Sequence, residues 1–428
     1  MQHLKNTMSN RWQMTAAILL AAIPVSCVFN LMKINSLAII LVVAFSLVVG
    51  WGSRKNIKLD FFKLSYLLYF AVIVSALIHT SNFSLELKNI ESKLSLLILP
   101  FAFALLPFKS VYIRQLVLLF TTLAVLVSSI ICLIFAGMYW TKTGDTSHFF
   151  YHEFLTPLKH HAVFYSIFVF ISLMFFLIET PFINSIQWLK KIKWGIILYL
   201  LLLLFVLSSK MVIVISFLLL PAIYLKRNDW KRWWWIPASL LVVAIVGLSY
   251  KNSISSRFHD LLDTNFTMLK SDVIGKGEYL NGLEFRLLQW RNTYEILNNK
   301  EAWWFGLTFS ETNKTLYEQY DALQLYGENT ATGKTGYYLY DTHNQFLQTT
   351  LEYGILGLLL LLLIYIAIVR LAVLQKDKLL FCLAVIFITF SFTDTILERQ
   401  YGMVLFVFLP LLLQSAHFTP KSKTESEG

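Results

Sequence analysis

Apolar residues run along this chain in long blocks, and polar residues collect between them. An α-helix needs about 20 residues to cross roughly 30 Å of hydrocarbon. Blocks near that length read as Met14–Met32, Leu37–Trp51, Phe62–Ile78, Leu94–Phe108, Leu116–Tyr139 and Ala162–Ile178. The second half adds Trp194–Leu207, Met211–Leu225, Trp234–Tyr250, Phe346–Val369, Leu379–Ile396 and Tyr401–Ser415. The pattern predicts an all-α fold, a polytopic transmembrane bundle of about 12 helices. Pro100 and Pro107 make Leu94–Phe108 a broken or re-entrant candidate, and Ser208-Ser209-Lys210 divides what would otherwise be one stretch.

Composition agrees: 57% of residues are hydrophobic and 14% charged, against about 25% charged in an ordinary soluble domain. The net charge of +11 takes its meaning from where the charges fall. Threaded from a cytoplasmic N-terminus, one side gathers Lys5, Arg11, Arg54, Lys55, Lys58, Lys63, Lys109 and Arg114, and later the basic groups at 190–193, 226–232, 370–378 and 421–423. That side is net +14 and the remainder net −3. The excess follows the positive-inside rule, which accounts for the basic balance without a nucleic-acid surface. Cys27, Cys132 and Cys382 fall inside apolar blocks, so neither a disulfide nor a metal framework is implied. The expected layout is transmembrane helices over 1–250, a large helical loop over 251–342, three more helices over 343–415 and a cytoplasmic tail over 416–428.

Two polar segments face the other side. Trp140–His160 holds His148, His152, Glu153, Lys159 and His160; Lys251–Thr342 is far longer than a common connection of about 4–6 residues. In the longer one, Asn281 with Glu284 three residues on reads as a capping box. Leu283, Leu287, Trp290, Tyr294 and Leu297 then follow at helical spacing, predicting an amphipathic helix with one apolar stripe and Arg286 off it. A second helix is expected over Glu311–Tyr326, with a flexible Gly327–Gly336 connection after it. The loop reads as an amphipathic cap on the outer membrane face. The chain then re-enters through Asp341-Thr342-His343-Asn344-Gln345. Ionisable groups at a membrane mouth are functional candidates, and His343 is the group here suited to proton exchange near neutrality. The alternative is that His343 and Asn344 only anchor a helix end.

Read together, several segments resemble the O-antigen ligase/polymerase superfamily. They are His343-Asn344-Gln345-Phe346-Leu347 with Glu352-Tyr353-Gly354-Ile355-Leu356-Gly357, Phe285-Arg286 with Trp290, and Trp303-Trp304-Phe305-Gly306-Leu307. Leu207-Ser208-Ser209-Lys210 is similar to the family's Ser-Arg segment with Lys in place of Arg, and Glu398-Arg399-Gln400-Tyr401-Gly402 to its acidic/Gly segment. The matching pieces lie mainly in 200–415. The resemblance implies a metal-independent, cofactor-free, inverting membrane glycosyltransferase of the bacterial inner membrane, its large loop periplasmic and both termini cytoplasmic. It would move a glycan from undecaprenyl pyrophosphate to a hydroxyl of the lipid A core or of another glycan.

In that reading His343 is the general base, and Arg286 and Lys210 hold the pyrophosphate. Each residue keeps its plainer alternative: a snorkelling lysine for Lys210, an ion pair with Glu284 or Glu295 for Arg286, interface anchoring for His160 and His161. Asp341, Asn344, Asp394, Glu398 and Arg399 are supporting candidates, Asp341, Asp394 and Glu398 being equally open to ordinary polar roles. Arg291 reads as a surface charge. A polymerase of the same superfamily is the alternative activity. A transporter or flippase is the alternative class, disfavoured because the two halves look dissimilar and the polar candidates sit at one boundary.

Overall fold

The computed structural model describes residues 2–50, 59–106, 110–207, 209–224, 266, 268–275, 278, 280–325, 337 and 340–415. Most of these residues are helical, with no strand among those described. The longer helices, numbered in chain order, are α1 (Gln2–Val28), α2 (Met32–Gly50), α3 (Phe61–Ser75), α4 (Phe83–Ser92) and α5 (Ser95–Leu105). Then come α6 (Val111–Thr143), α7 (Ala162–Ile178), α8 (Gln187–Val206), α9 (Lys210–Tyr224), α10 (Gly282–Asn299) and α11 (Phe309–Ala322). The chain closes with α12 (Gln345–Gln375), α13 (Lys378–Ser391) and α14 (Gln400–Ser415).

Among the described residues, five stretches are long and apolar enough to cross a membrane: Arg11–Val28, Met32–Gly50, Phe61–Ile78, Val111–Thr143 and Gln345–Gln375. α7, α13 and α14 are shorter apolar helices. The other expected blocks mostly coincide with helices, but not as full spans. The block carrying Pro100 and Pro107 is only the 11-residue α5, with Pro100 inside it and 107 outside the described residues. The break expected at 208–210 separates α8 from α9. The expected span Trp234–Tyr250, the 327–336 connection and the 416–428 tail lie outside the described residues.

α1 packs on α6 and α2, α12 on α3 and α13, and α7 on α6, α8 and α13. Residues that the charge pattern assigns to one side meet at one end of this bundle. Lys63 Nζ lies 2.6 Å from Asp60 and donates at 2.9 Å to Gln414 at the end of α14. Arg114 pairs with Glu179 beyond α7, and at 2.6 Å with Asp377 ahead of α13.

At the opposite end α10 and α11 form a cap with its own apolar core, including Phe285, Leu288, Leu316, Tyr320 and Leu351 of α12. Asn281 and Glu284 make the expected capping box. The inward face of α10 differs from the expected stripe. Phe285, Leu288, Gln289, Asn292, Thr293, Ile296 and Leu297 are buried, while Trp290 and Tyr294 are exposed. Polar Gln289, Asn292 and Thr293 are on the buried side, which a search for apolar positions cannot see. α11 starts two residues before, and ends four before, the expected Glu311–Tyr326.

The cap is locked to α12 where that helix breaks. Gly306 (φ 74°) and Gly354 (φ 65°) each adopt a left-handed backbone, and a Cβ on either would collide with the other segment's main chain. Two pairs of hydrogen bonds cross here: Leu307 N to Leu351 O (2.7 Å) and Thr308 N to Glu352 O (3.1 Å) in one direction, Ile355 N to Trp303 O (2.7 Å) and Leu356 N to Trp304 O (3.4 Å) in the other. The main-chain groups freed by the kink are thus satisfied by the cap turn, as a low-dielectric setting requires.

Candidate active site

His343 occupies the turn before α12 with a left-handed backbone (φ 47°), uncommon for a residue with a Cβ. Its neighbours explain why the turn holds. Asp341 Oδ1 accepts from the His343 amide at 2.9 Å and lies 3.0 Å from His343 Nδ1, an ion-pair distance whose angle falls short of a full hydrogen bond. Asp341 Oδ2 accepts from Thr395 Oγ1 at 2.6 Å. Asn344 caps α12, accepting from the amides of Phe346 and Leu347, and donates to Phe392 O at 3.4 Å. Phe285 and Tyr340 stand edge-on to the imidazole, with centroids at 5.4 and 5.3 Å.

The second wall is the 392–399 connection between α13 and α14. Arg286 Nε and Nη2 both donate to Thr393 O, at 3.1 and 3.0 Å, and Nη1 donates to Gly282 O at 2.7 Å. Asp394, the next residue, has Oδ1 3.9 Å from His343 Nδ1. Arg286 and His343 therefore converge on one turn. Arg286 donates to the main-chain carbonyls of Thr393 and Gly282, while Glu284 is used in the capping box and Glu295 by Arg291 and Gln319. The ion pair weighed for Arg286 is not the arrangement seen. Arg291 does make surface-type contacts, pairing with Glu295 at 2.7 Å.

The two aspartates are tuned apart. Burial works to raise Asp341, but the contacts with His343 and Thr395 outweigh it and hold its carboxyl below the usual range. Burial raises Asp394, and the neighbouring His343 only partly offsets this. One carboxylate is thus kept ionised beside His343 Nδ1, leaving Nε2 as the ring nitrogen with a lone pair to offer when Nδ1 carries the proton.

His160 and His161 lie on the same side. His160 is buried, its ring nitrogens 3.2 Å from Cys27 O and 3.2 Å from His161 O, and burial pushes its pKa down to about 4. Burial, then the nearby His152, Arg399, His160 and His343, push His161 down to about 3. Both are neutral, and the His161 ring stacks edge-on to His152 at 4.3 Å. Arg399 is exposed, and Glu398 turns inward. Lys210 heads α9, but its side chain lies outside the described residues.

Sequence reading missed the support beneath this site. Lys93 is buried and contacts Glu398 Oε1 at 2.9 Å, Glu352 Oε2 at 3.2 Å and Tyr353 Oη at 3.4 Å. Glu352 also accepts from Gln348 at 2.6 Å, and Gln348 accepts from Thr342 N at 3.3 Å. Leu397 N donates to Gln345 Oε1 at 2.7 Å. A polar ladder thus ties the His343 turn to the Glu398 connection through one buried lysine. A lone lysine at the head of an apolar block was the available signal.

Among known proteins, the family model described as O-antigen ligase matches residues 194–362, a stretch containing Lys210, Arg286 and His343. No curated protein matches the chain. Together with the apolar helices, this match supports a multi-pass membrane protein and likens the chain to O-antigen ligases and polymerases. The likeness read from the sequence is borne out: over residues 194–362 the chain matches the O-antigen ligase family, which supports the O-antigen ligase-like superfamily.

Proposed function

We propose that the chain is an O-antigen ligase-like glycosyltransferase that moves a glycan from undecaprenyl pyrophosphate to a hydroxyl of the lipid A core on the periplasmic face of the inner membrane. The observation that carries this reading is the convergence of His343, Asp341 and Arg286 on the 392–395 connection. Asp341 keeps Nδ1 of His343 occupied, so Nε2 takes the proton of the acceptor hydroxyl. The hydroxyl oxygen attacks the anomeric carbon from the face opposite the leaving group and inverts it. The bond from that carbon to the pyrophosphate oxygen breaks, and its electron pair leaves with the diphosphate. Arg286, held beside His343 by the Thr393 carbonyl, offsets that charge as a fixed guanidinium. In this reading Lys210 adds a second cation, Glu398 and Arg399 shape the acceptor side with His160 and His161, and no metal is needed.

His343→Ala should abolish transfer while the protein still inserts. General acid–base catalysis contributes roughly 10²–10⁴-fold, so near-normal transfer by that variant would remove the assignment. The activity itself is tested by complementation: smooth lipopolysaccharide restored in a ligase-null strain supports the ligase. Chain length restored in a polymerase-null strain instead supports the polymerase of the same superfamily.

A further inference from the structure

The cap carries an aromatic strip facing away from its own core. Trp304 and Phe305 are each 69% exposed, Tyr294 60% and Trp290 50%, and Tyr294 touches Trp303 edge-on at 5.8 Å. Trp290 and Tyr294 are one turn apart on α10, so the strip runs along that helix into the Trp303–Gly306 turn. Its depth is fixed, because the turn is bonded to the main chain of Ile355 and Leu356 in α12. Below that point α12 offers Ile355–Leu374, 20 residues uncharged except for Arg370 near the far end, about 30 Å of helix. Its outward stripe Leu356, Leu359, Leu362 and Ile366 is exposed, as a lipid-facing stripe must be. Trp304 and Phe305 therefore continue the lipid-facing surface of α12 at its upper edge, the level where Trp and Tyr gather at a bilayer boundary.

We infer that Trp290, Tyr294, Trp304 and Phe305, backed by Trp303 on the cap core, form a membrane-docking strip, its occupant the glycerol and upper acyl region of the leaflet on the cap side. α10 lies on the leaflet along this strip. Because Phe285 and Arg286 belong to the same helix and meet His343 and Thr393, docking holds them at headgroup height. The bearing of that height on a lipid-linked diphosphate rests on the proposed function; the docking itself does not.

The test uses the full chain in phosphatidylcholine/phosphatidylglycerol vesicles. Phe305→Cys is labelled with an environment-sensitive NBD dye, with Ile366→Cys as a deep reference, Glu318→Cys as an aqueous one and the unsubstituted chain as the labelling blank. The dye at 305 should emit to the blue of that at 318. It should lose more intensity to lipid doxyl-labelled at carbon 5 than at carbon 12, and little to aqueous iodide; position 366 should show the reverse doxyl preference. Iodide quenching at 305 equal to that at 318 overturns the proposal. So does a 305 signal that follows the protein-to-lipid ratio together with 305–305 crosslinks, which would make the strip a contact between copies. Neither readout requires transfer, so a failed docking test and a failed ligase assignment are told apart.

Discussion

The carbonyl oxygen of Thr393 receives two hydrogen bonds from the guanidinium of Arg286, 3.1 Å from Nε and 3.0 Å from Nη2. This fork ties the cap helix to the connection that also carries Asp394 and Thr395. It fixes the direction in which the cation faces the His343 turn. A lysine supplies charge without the fork. Arg286→Lys should therefore keep partial donor use and Arg286→Ala much less, each lost charge-assisted bond being worth about 1.5–3 kcal/mol, roughly ten- to hundredfold. Donor KM and kcat of both variants in proteoliposomes provide the check; equal values for the two would mean that the arginine acts only as a strut.

Asp341 touches the His343 amide, its ring and Thr395 with one carboxylate. Asp341→Asn keeps the shape and removes the anion that holds Nδ1. Transfer should fall by about tenfold or more, with little change in melting temperature, since Asn still caps the turn. Thr395→Val, which removes only the outer hydrogen bond, should fall less. If Asp341→Asn transferred glycan at the normal rate, the aspartate would be a turn residue alone.

How much of this was readable beforehand follows from the range of each interaction. The capping box at Asn281 and Glu284 spans three residues, so local chemistry announces it, and the apolar blocks announce helices because burial in lipid needs length. Which face of α10 turns inward was not legible, because the cap buries Gln289, Asn292 and Thr293 and shows Trp290 and Tyr294 outward, the opposite of what polarity alone suggests. His343 and Arg286 stood out as chemistry without a sequence signal that they meet. That meeting depends on contacts such as Thr395 to Asp341, 54 residues apart, and Lys93 to Glu398, 305 apart. No pattern in a single chain encodes those.

Lys93 is where two carboxylates, the buried Glu352 and the partly buried Glu398, find a cation. Lys93→Met keeps much of the side-chain volume and strands both. Breaking a buried pair by removing one partner costs about 3–5 kcal/mol, so the variant should melt earlier and insert in lower yield. Adding Glu352→Gln and Glu398→Gln should return part of the loss, because neutral amides tolerate the site without the lysine. A triple variant no more stable than Lys93→Met would mean that the lysine acts through packing against Phe309 and Tyr353, over whose rings its ammonium lies at 5.7 and 5.5 Å.

His160 makes the bundle sensitive to acid. Its ring is nested between Tyr401 (4.9 Å), Tyr165 (5.5 Å) and Phe168 (6.0 Å), and burial holds its pKa at about 4, below the value of about 6.5 it regains when unfolded. The unfolded chain therefore takes up the proton first as pH falls. Stability is fully present above about pH 6.5 and drains away towards pH 4, by at most about 1.4 kcal/mol per pH unit for this group. The melting temperature of the purified protein should drop between pH 7.5 and pH 5. His160→Phe keeps an aromatic ring in the nest but cannot titrate, so its drop should be visibly shallower. The residual slope belongs to His161, which burial lowers in the same direction, to about 3. If the two proteins lost stability in parallel, the acid sensitivity would have to originate elsewhere, and His160 would be a packing residue whose charge state is irrelevant.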